Sequence, residues 1–253
     1  MVGHLSRWTI AVPLVLTLSG LSGCASSGSA PPTRTVTVFA AASLTEAFTE
    51  LGEIFEAAHP GTTVRLEFGS SATLAQQITQ GAPADVFASA SPTTMKAVTD
   101  ATRAGSPAVF VRNKLEIAVP PDNPAKVTRL GDLTGSAVKV ALCAPQVPCG
   151  AAAAKALDAA GLKVTPVTLE KDVKAALTKV ELGEVDAALV YKTDVKSAGG
   201  KVTGIAFPEA DLAINDYPII VLPDAGPQAR SFVDLVLSQR GEDVLTKAGF
   251  EAA

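Results

Sequence analysis

The chain is poor in the residues on which much site chemistry depends. Among 253 residues there are three cysteines, two histidines, one tryptophan and two tyrosines. So little histidine excludes most imidazole-dependent catalysis and most transition-metal sites. No stretch matches the G-x-S-x-G elbow of serine hydrolases. Long runs of like charge and internal repeats are absent, and acidic side chains outnumber basic ones by 25 to 21. That balance argues against nucleic acid or an anionic surface as partner. The apolar run from Trp8 to Leu18 is too short to span a bilayer.

What that run does suit is export. It follows Arg7 and leads into small residues, the arrangement of a secretory signal. Its end, "LSGC", resembles a bacterial lipoprotein cleavage box, in which Cys24 becomes the lipid-bearing first residue. Residues 1–23 are therefore expected to be a lipoprotein signal peptide. Residues 24–34, rich in Ser, Gly and Pro, form a flexible tether that holds the protein on the outer face of the plasma membrane through a lipid anchor. Removing the leader takes away Arg7 and His4, which brings the net charge from −4 to near −5 and leaves His59 as the last histidine. His59 sits in "AAHPG", where a helix end explains it.

From Thr35 onward strand and helix patterns alternate. "TVTVFA" (35–40) reads as a buried strand, and residues 44–59 place Leu44, Phe48, Leu51 and Phe55 on one helical face. "TVRLEF", "DVFAS", "KLEIAVP", "VKVALC", "VTPVTL", "DAALVY" and "YPIIVLP" continue the strand series, with helices between them and two more at 226–239 and 241–248. Strand, helix, strand at these lengths predicts an α/β fold with parallel sheets.

Small polar residues recur where strands hand over to helices. "FAAASLTE" supplies Ser43, with Glu46 in the spacing of a capping box; "FGSSATLAQQ" supplies Gly69, Ser70 and Ser71. "VPCGAAAAKAL" puts Cys149 behind Pro148, and "KDVKAAL" offers Asp172 as a cap. Any one of these is explained by capping alone. In open α/β sheets, however, ligands sit beyond the carboxyl ends of strands, where helix N-termini present free N–H groups and partial positive charge. Several such ends at one spot make a cage of donors suited to a small, fully ionised oxyanion.

In order along the chain, "TVFAAASLTEAF", "FGSSATLAQQITQGAPADVFAS", "VPCG", "EKDVKAAL" and "ALVYKTD" resemble the molybdate-binding proteins of bacterial ABC uptake systems, from about Val36 to Phe250. The resemblance implies a two-lobed periplasmic-binding-protein-like fold of type II. Each lobe would be a mainly parallel sheet flanked by helices, with a hinge between them. The first lobe is expected at 35–113 plus 218–253 and the second at 114–217, with crossings near Asn113 and Tyr217.

The implied ligand is molybdate or tungstate, held by the hydroxyl and N–H of Ser43 and Ser71, the N–H of Cys149 and of Val173, and the hydroxyl of Tyr191. No cofactor and no metal beyond the molybdenum of the anion are implied. The other implied partner is an ABC permease, served by a monomer. Asp85, in the family's "ADVF" element, reads as structural, since a bare carboxylate beside a dianion repels it. Ser91 stands where the family commonly has Asp, a change at a helix cap. The alternatives are another small oxyanion such as sulfate and, in a different class, a serine-dependent hydrolase using Ser43 or Ser71.

Cys143 and Cys149 lie in "LCAPQVPCG". A metal site would need two further ligands and a redox pair would favour C-x-x-C. In an exported chain the expectation is a disulfide that braces the turn and aims the Cys149 N–H.

Overall fold

The strand and helix patterns of the chain separate into two sheets, each wrapped by its own helices. The computed structural model describes residues 34–253. The expected signal peptide, the lipidation site Cys24 and the tether as far as residue 33 lie outside the described residues. The chain begins with β1 (Arg34–Ala41), α1 (Thr45–Ala58), β2 (Thr62–Gly69), α2 (Ser71–Thr79), β3 (Val86–Ala88), α3 (Pro92–Thr102) and β4 (Ala108–Asn113). It crosses into a second block: β5 (Leu115–Val119), β6 (Val140–Cys143), α4 (Pro148–Ala159), β7 (Thr168–Glu170), α5 (Val173–Glu181), β8 (Ala187–Tyr191), α6 (Lys192–Ser197) and β9 (Thr203–Ile205). It returns through β10 (Asn215–Val221), α7 (Pro227–Val236), α8 (Gln239–Ala248) and β11 (Glu251–Ala252).

The first sheet has the order β11-β4-β10-β3-β1-β2 and the second β7-β6-β8-β5-β9. Both are mixed rather than mainly parallel. Helix crossovers force the parallel sense on β1, β2 and β3 and on β6, β7 and β8. The strands beside the two crossings, β4, β10 and β5, pair antiparallel with their neighbours. β10 enters the first sheet at Asn215, paired with Asn113 of β4, where the sequence had suggested a crossing near Tyr217. Asn215 and Asp216 are polar, so the apolar pattern of the strand becomes visible only two residues in.

Packing follows the expected stripes. Leu44, Phe48, Leu51 and Phe55 are all fully buried, and the Phe48 and Phe55 rings meet Phe232 of α7 at centroid distances of 6.1 and 5.5 Å. Truncating either ring to alanine costs about 3–5 kcal/mol. The other face of the same sheet is covered by Leu74 and Ile78 of α2 and by Met95 and Val98 of α3. The second sheet has one core, into which α4 presses Ala152, Ala153 and Ala156. Ala42, from the loop after β1, is buried in that second core, so the two lobes are in contact. The parallel strands of both sheets end toward this contact. Among the described residues no helix is long and apolar enough to cross a membrane.

Candidate functional site

Where the two lobes meet, a cavity is lined from one side by Ala41–Ser43, Gly69–Ser71 and Ala90, and from the other by Val147–Cys149, Asp172, Val173 and Tyr191. The space open to the centre of a water-sized sphere is about 20 Å³. One water needs roughly 10–15 Å³ by that measure, so the cavity takes a group of a few heavy atoms and not a drug-sized ligand. All five residues expected to hold the anion, Ser43, Ser71, Cys149, Val173 and Tyr191, are on this lining.

The backbone supplies part of the wall. Ser71 and Val173 are the first residues of α2 and α5, and Pro148 opens α4. The first N–H groups of a helix have no intrahelical partner. Proline has none to offer, so Cys149 carries the first donor of α4. The α5 start is held by Asp172, whose Oδ1 accepts from the Ala175 N–H at 2.9 Å. The α4 start has no side-chain cap. Close by, the sulfurs of Cys143 and Cys149 are at bonding distance, with Cα atoms 5.7 Å apart. A Cβ at Gly150 would overlap the Ala144 carbonyl, so only glycine lets the helix start this close to the preceding turn.

The hydroxyls are the other part. Ser71 Oγ accepts from the Ala90 N–H at 2.9 Å, which leaves its hydrogen free to donate. Tyr191 Oη accepts from Asn215 Nδ2 at 2.9 Å with the same result. Burial raises the Tyr191 pKa well above the ordinary phenol value, so the group stays a protonated donor. Ser43 Oγ lies 2.8 Å from the Tyr217 hydroxyl. Tyr217 Oη in turn faces Asn113 Nδ2 at 3.5 Å, and burial raises its pKa also. Ser70 Oγ is buried without a hydrogen-bond partner on the same lining.

Below Tyr191 is a buried carboxylate. Asp194 is fully buried; its Oδ2 accepts from the Tyr191 N–H at 3.1 Å, and Lys174 Nζ stands 3.4 Å from Oδ1. Burial pushes its pKa up to about 6, with Lys174 opposing. Lys174 also reaches across the lobes to Glu46 at 2.8 Å.

The capping box expected from Ser43 and Glu46 does not form. A 3-10 turn, Ala42–Leu44, precedes α1, Ser43 makes no cap bond, and Glu46 turns to Lys174 instead. Asp172 and Ser91 do cap their helices. Asp85 is off the cavity, accepting from the N–H groups of Thr37 and Gly226 at 2.7 and 3.0 Å, which is a structural role. His59 closes α1 with Nδ1 2.9 Å from the Phe55 carbonyl. Sequence reading missed Asn113, Asn215 and Tyr217 as supports of the site. The polar pair that precedes "YPII" was the available signal, since polar residues at the head of a buried strand need partners.

Comparison with known proteins agrees with this architecture. The molybdate-binding protein ModA of Mycobacterium tuberculosis is 43% identical over 243 residues, covering 92% of this chain and 93% of its own. ModA of Haemophilus influenzae is 35% identical over 229 residues, 86% of this chain and 90% of its own. The periplasmic molybdate-binding protein of Azotobacter vinelandii superposes with a TM-score of 0.74 over 86% of this chain and 99% of that one. At 20% identity it speaks to the fold alone. These relatives are binding proteins and not enzymes. Residues 36–251 match the bacterial extracellular solute-binding proteins, and the chain belongs to that family.

Proposed function

We propose that the protein captures molybdate, and tungstate with it, in the cavity between its lobes and delivers the anion to an ABC permease. The observation that carries this reading is the character of the lining: its converging groups are donors. The N–H groups of Ser71, Cys149 and Val173 stand at helix starts, and the hydroxyls of Ser71 and Tyr191 have an acceptor site already filled from behind. The carboxylate of Asp172 on the lining is bonded to its own helix. A fully deprotonated oxyanion needs donors only, whereas phosphate near neutral pH carries a proton that requires an acceptor. Each donor to a charged acceptor contributes about 1.5–3 kcal/mol, enough for several together to offset the desolvation of a dianion. The identity to ModA proteins supports molybdate as the occupant.

Sulfate shares the charge and lacks a proton, so size separates it, its bonds being shorter. Calorimetric titration with molybdate, tungstate and sulfate is the test: the first two should bind far more tightly, and a preference for sulfate would overturn the assignment. Tyr191 and Tyr217 are the only tyrosines, so molybdate should change tyrosine emission, and Tyr191→Phe should remove most of the change. A hydrolase built on Ser43 or Ser71 has no support, because no histidine lies on the lining.

The lobes are taken to hinge at the two strand crossings, Asn113 to Leu115 and just ahead of Asn215, and to open and close around the ligand. We further take Cys24 to carry the lipid anchor that holds the protein, as a monomer, outside the plasma membrane. Loss of radiolabelled fatty acid in Cys24→Ala, with release of the protein into the medium, is the expected result.

A further inference from the structure

Tyr191 is the one proposed ligand group whose hydrogen-bonding direction is set by a residue from the other lobe. Asn215 opens β10, opposite Asn113 in the register of the two crossing strands. Its Nδ2 donates to the Ala90 carbonyl at 2.7 Å and to Tyr191 Oη at 2.9 Å. A carbonyl oxygen can only accept, so the amide has one orientation, nitrogen inward. Both hydrogens of that nitrogen are then used, and the Tyr191 oxygen is on the receiving side. The single phenolic hydrogen is left to point at another acceptor.

The same arrangement stands behind Ser43. The Lys114 N–H donates to Asn113 Oδ1 at 3.1 Å, which fixes that amide with its nitrogen toward Thr193 Oγ1 at 2.8 Å and, more distantly, Tyr217 Oη at 3.5 Å. Tyr217 is thereby disposed to donate to Ser43 Oγ, 2.8 Å away. A hydroxyl left to itself donates or accepts as its neighbour requires. Once an amide nitrogen has taken the better acceptor direction of a phenolic oxygen, the strongest bond left to that hydroxyl is the one it donates.

We infer that Asn215 is a positioning residue that holds the Tyr191 hydroxyl as an obligate donor to the anion, and so sets the preference for fully deprotonated oxyanions over those that carry a proton. This rests on the oxyanion reading of the cavity and deepens it. With Tyr191 free to accept, a hydrogen phosphate could place its proton on the phenolic oxygen. With Asn215 behind it, that proton finds no good acceptor at Tyr191, which removes one of the places where a proton-bearing anion could be satisfied.

The test reverses the polarity. Asn215→Asp keeps the shape but replaces the donor by an acceptor, so the Tyr191 hydrogen turns back toward the new carboxylate. Molybdate affinity should fall about 10- to 100-fold, the worth of one hydrogen bond to a charged acceptor. Sulfate should fall in parallel and hydrogen phosphate much less, so the molybdate-to-phosphate ratio drops. An added charge acting only through space would weaken all three dianions alike at pH 8, and that result would overturn the inference.

Asn215→Leu, which introduces no charge, gives a second route through a cycle with Tyr191→Phe. Asn215→Leu should weaken molybdate binding in the parent and leave it unchanged once the phenolic oxygen is gone; additive losses in the two backgrounds would equally overturn it. Titration of the unaltered protein with molybdate tests the cavity reading, and the ratio and the cycle test Asn215, so the two fail separately.

Discussion

The two walls of the cavity reach the same end by different means. The wall from the first sheet offers side-chain hydroxyls, Ser43 and Ser71, each backed by a group of the scaffold. From the second sheet come chiefly backbone donors, at Cys149 and Val173, held in place by Pro148, the Cys143–Cys149 bridge and the Asp172 cap. A hydroxyl can be removed without moving the chain; a backbone N–H can be lost only by disturbing the helix start that carries it. Substitutions on the first wall should therefore change affinity with modest effect on stability, and substitutions on the second should change both.

The largest effect is expected from the first wall. Ser43→Ala with Ser71→Ala removes two of the donors proposed to meet the dianion, together about 3–6 kcal/mol, or roughly 150- to 25,000-fold in Kd. The unfolding free energy should fall by less: the Ala90 N–H and the Tyr217 hydroxyl both lose a serine partner, but at the cavity wall, where water can take its place. Calorimetry and denaturant melts on the same samples measure both, and a stability loss that matches the affinity loss would erase the contrast between the walls.

The second wall stands on a buried charge, and pH should expose it. Folding raises the Asp194 pKa from 3.8 to about 6, burial being the cause and Lys174 the opposing charge; Glu46, beyond Lys174, pushes in the raising direction. A carboxyl with a raised pKa binds its proton more tightly in the folded state, so its contribution to stability is complete below pH 4 and is lost as pH rises through 6. At 1.36 kcal/mol per pH unit the change is about 3 kcal/mol. Asp194→Asn has no such titration. The unfolding free energy of the parent minus that of the variant should decline by about 2 kcal/mol of this between pH 4 and 6, and a flat difference would reject the assignment.

The bridge comes next in size. In the chain-entropy picture so short a loop contributes about 2 kcal/mol, and two prolines already restrict it. Cys143→Ala with Cys149→Ala should lower stability by about that much and weaken molybdate several-fold, because the Cys149 N–H loses its brace. Unchanged affinity would mean that the bridge serves the fold alone.

How far the sequence could be read followed the range of the forces involved. Local signals were legible: the α1 stripe from Leu44 to Phe55, the Ser91 and Asp172 caps, and the small residues at the strand-to-helix turns. Residues whose roles depend on distant parts of the chain were not. Ser43 with Glu46 has the spacing of a capping box, yet Tyr217, 174 positions away, meets the hydroxyl and Lys174, 128 positions away, meets the carboxylate. Asn215 fell outside the strand read from "YPIIVLP", and its partners, Ala90 and Tyr191, come from two different lobes. The parallel bias expected of both sheets failed at the crossings, where no helix dictates strand direction.

The smallest expected effect separates the lobes most cleanly. Lys174 Nζ joins Glu46 of the first lobe at 2.8 Å and Asp194 of the second at 3.4 Å, with Glu46 about half exposed and Asp194 wholly buried. The exposed half is worth at most about 1 kcal/mol. Glu46→Gln breaks the link across the lobes and leaves Asp194 its counter-charge, so it should speed molybdate release a few-fold and leave the melting temperature nearly unchanged. Lys174→Met breaks the same link and also strands a buried carboxylate, which is the costlier loss. It should lower stability well beyond Glu46→Gln at pH 8, and the gap should narrow toward pH 4 as Asp194 takes up its proton. Stopped-flow release and melts at the two pH values read both quantities. Equal stability losses in the two variants at pH 8 would show that Lys174 serves only the lobe contact and not the buried acid beneath Tyr191.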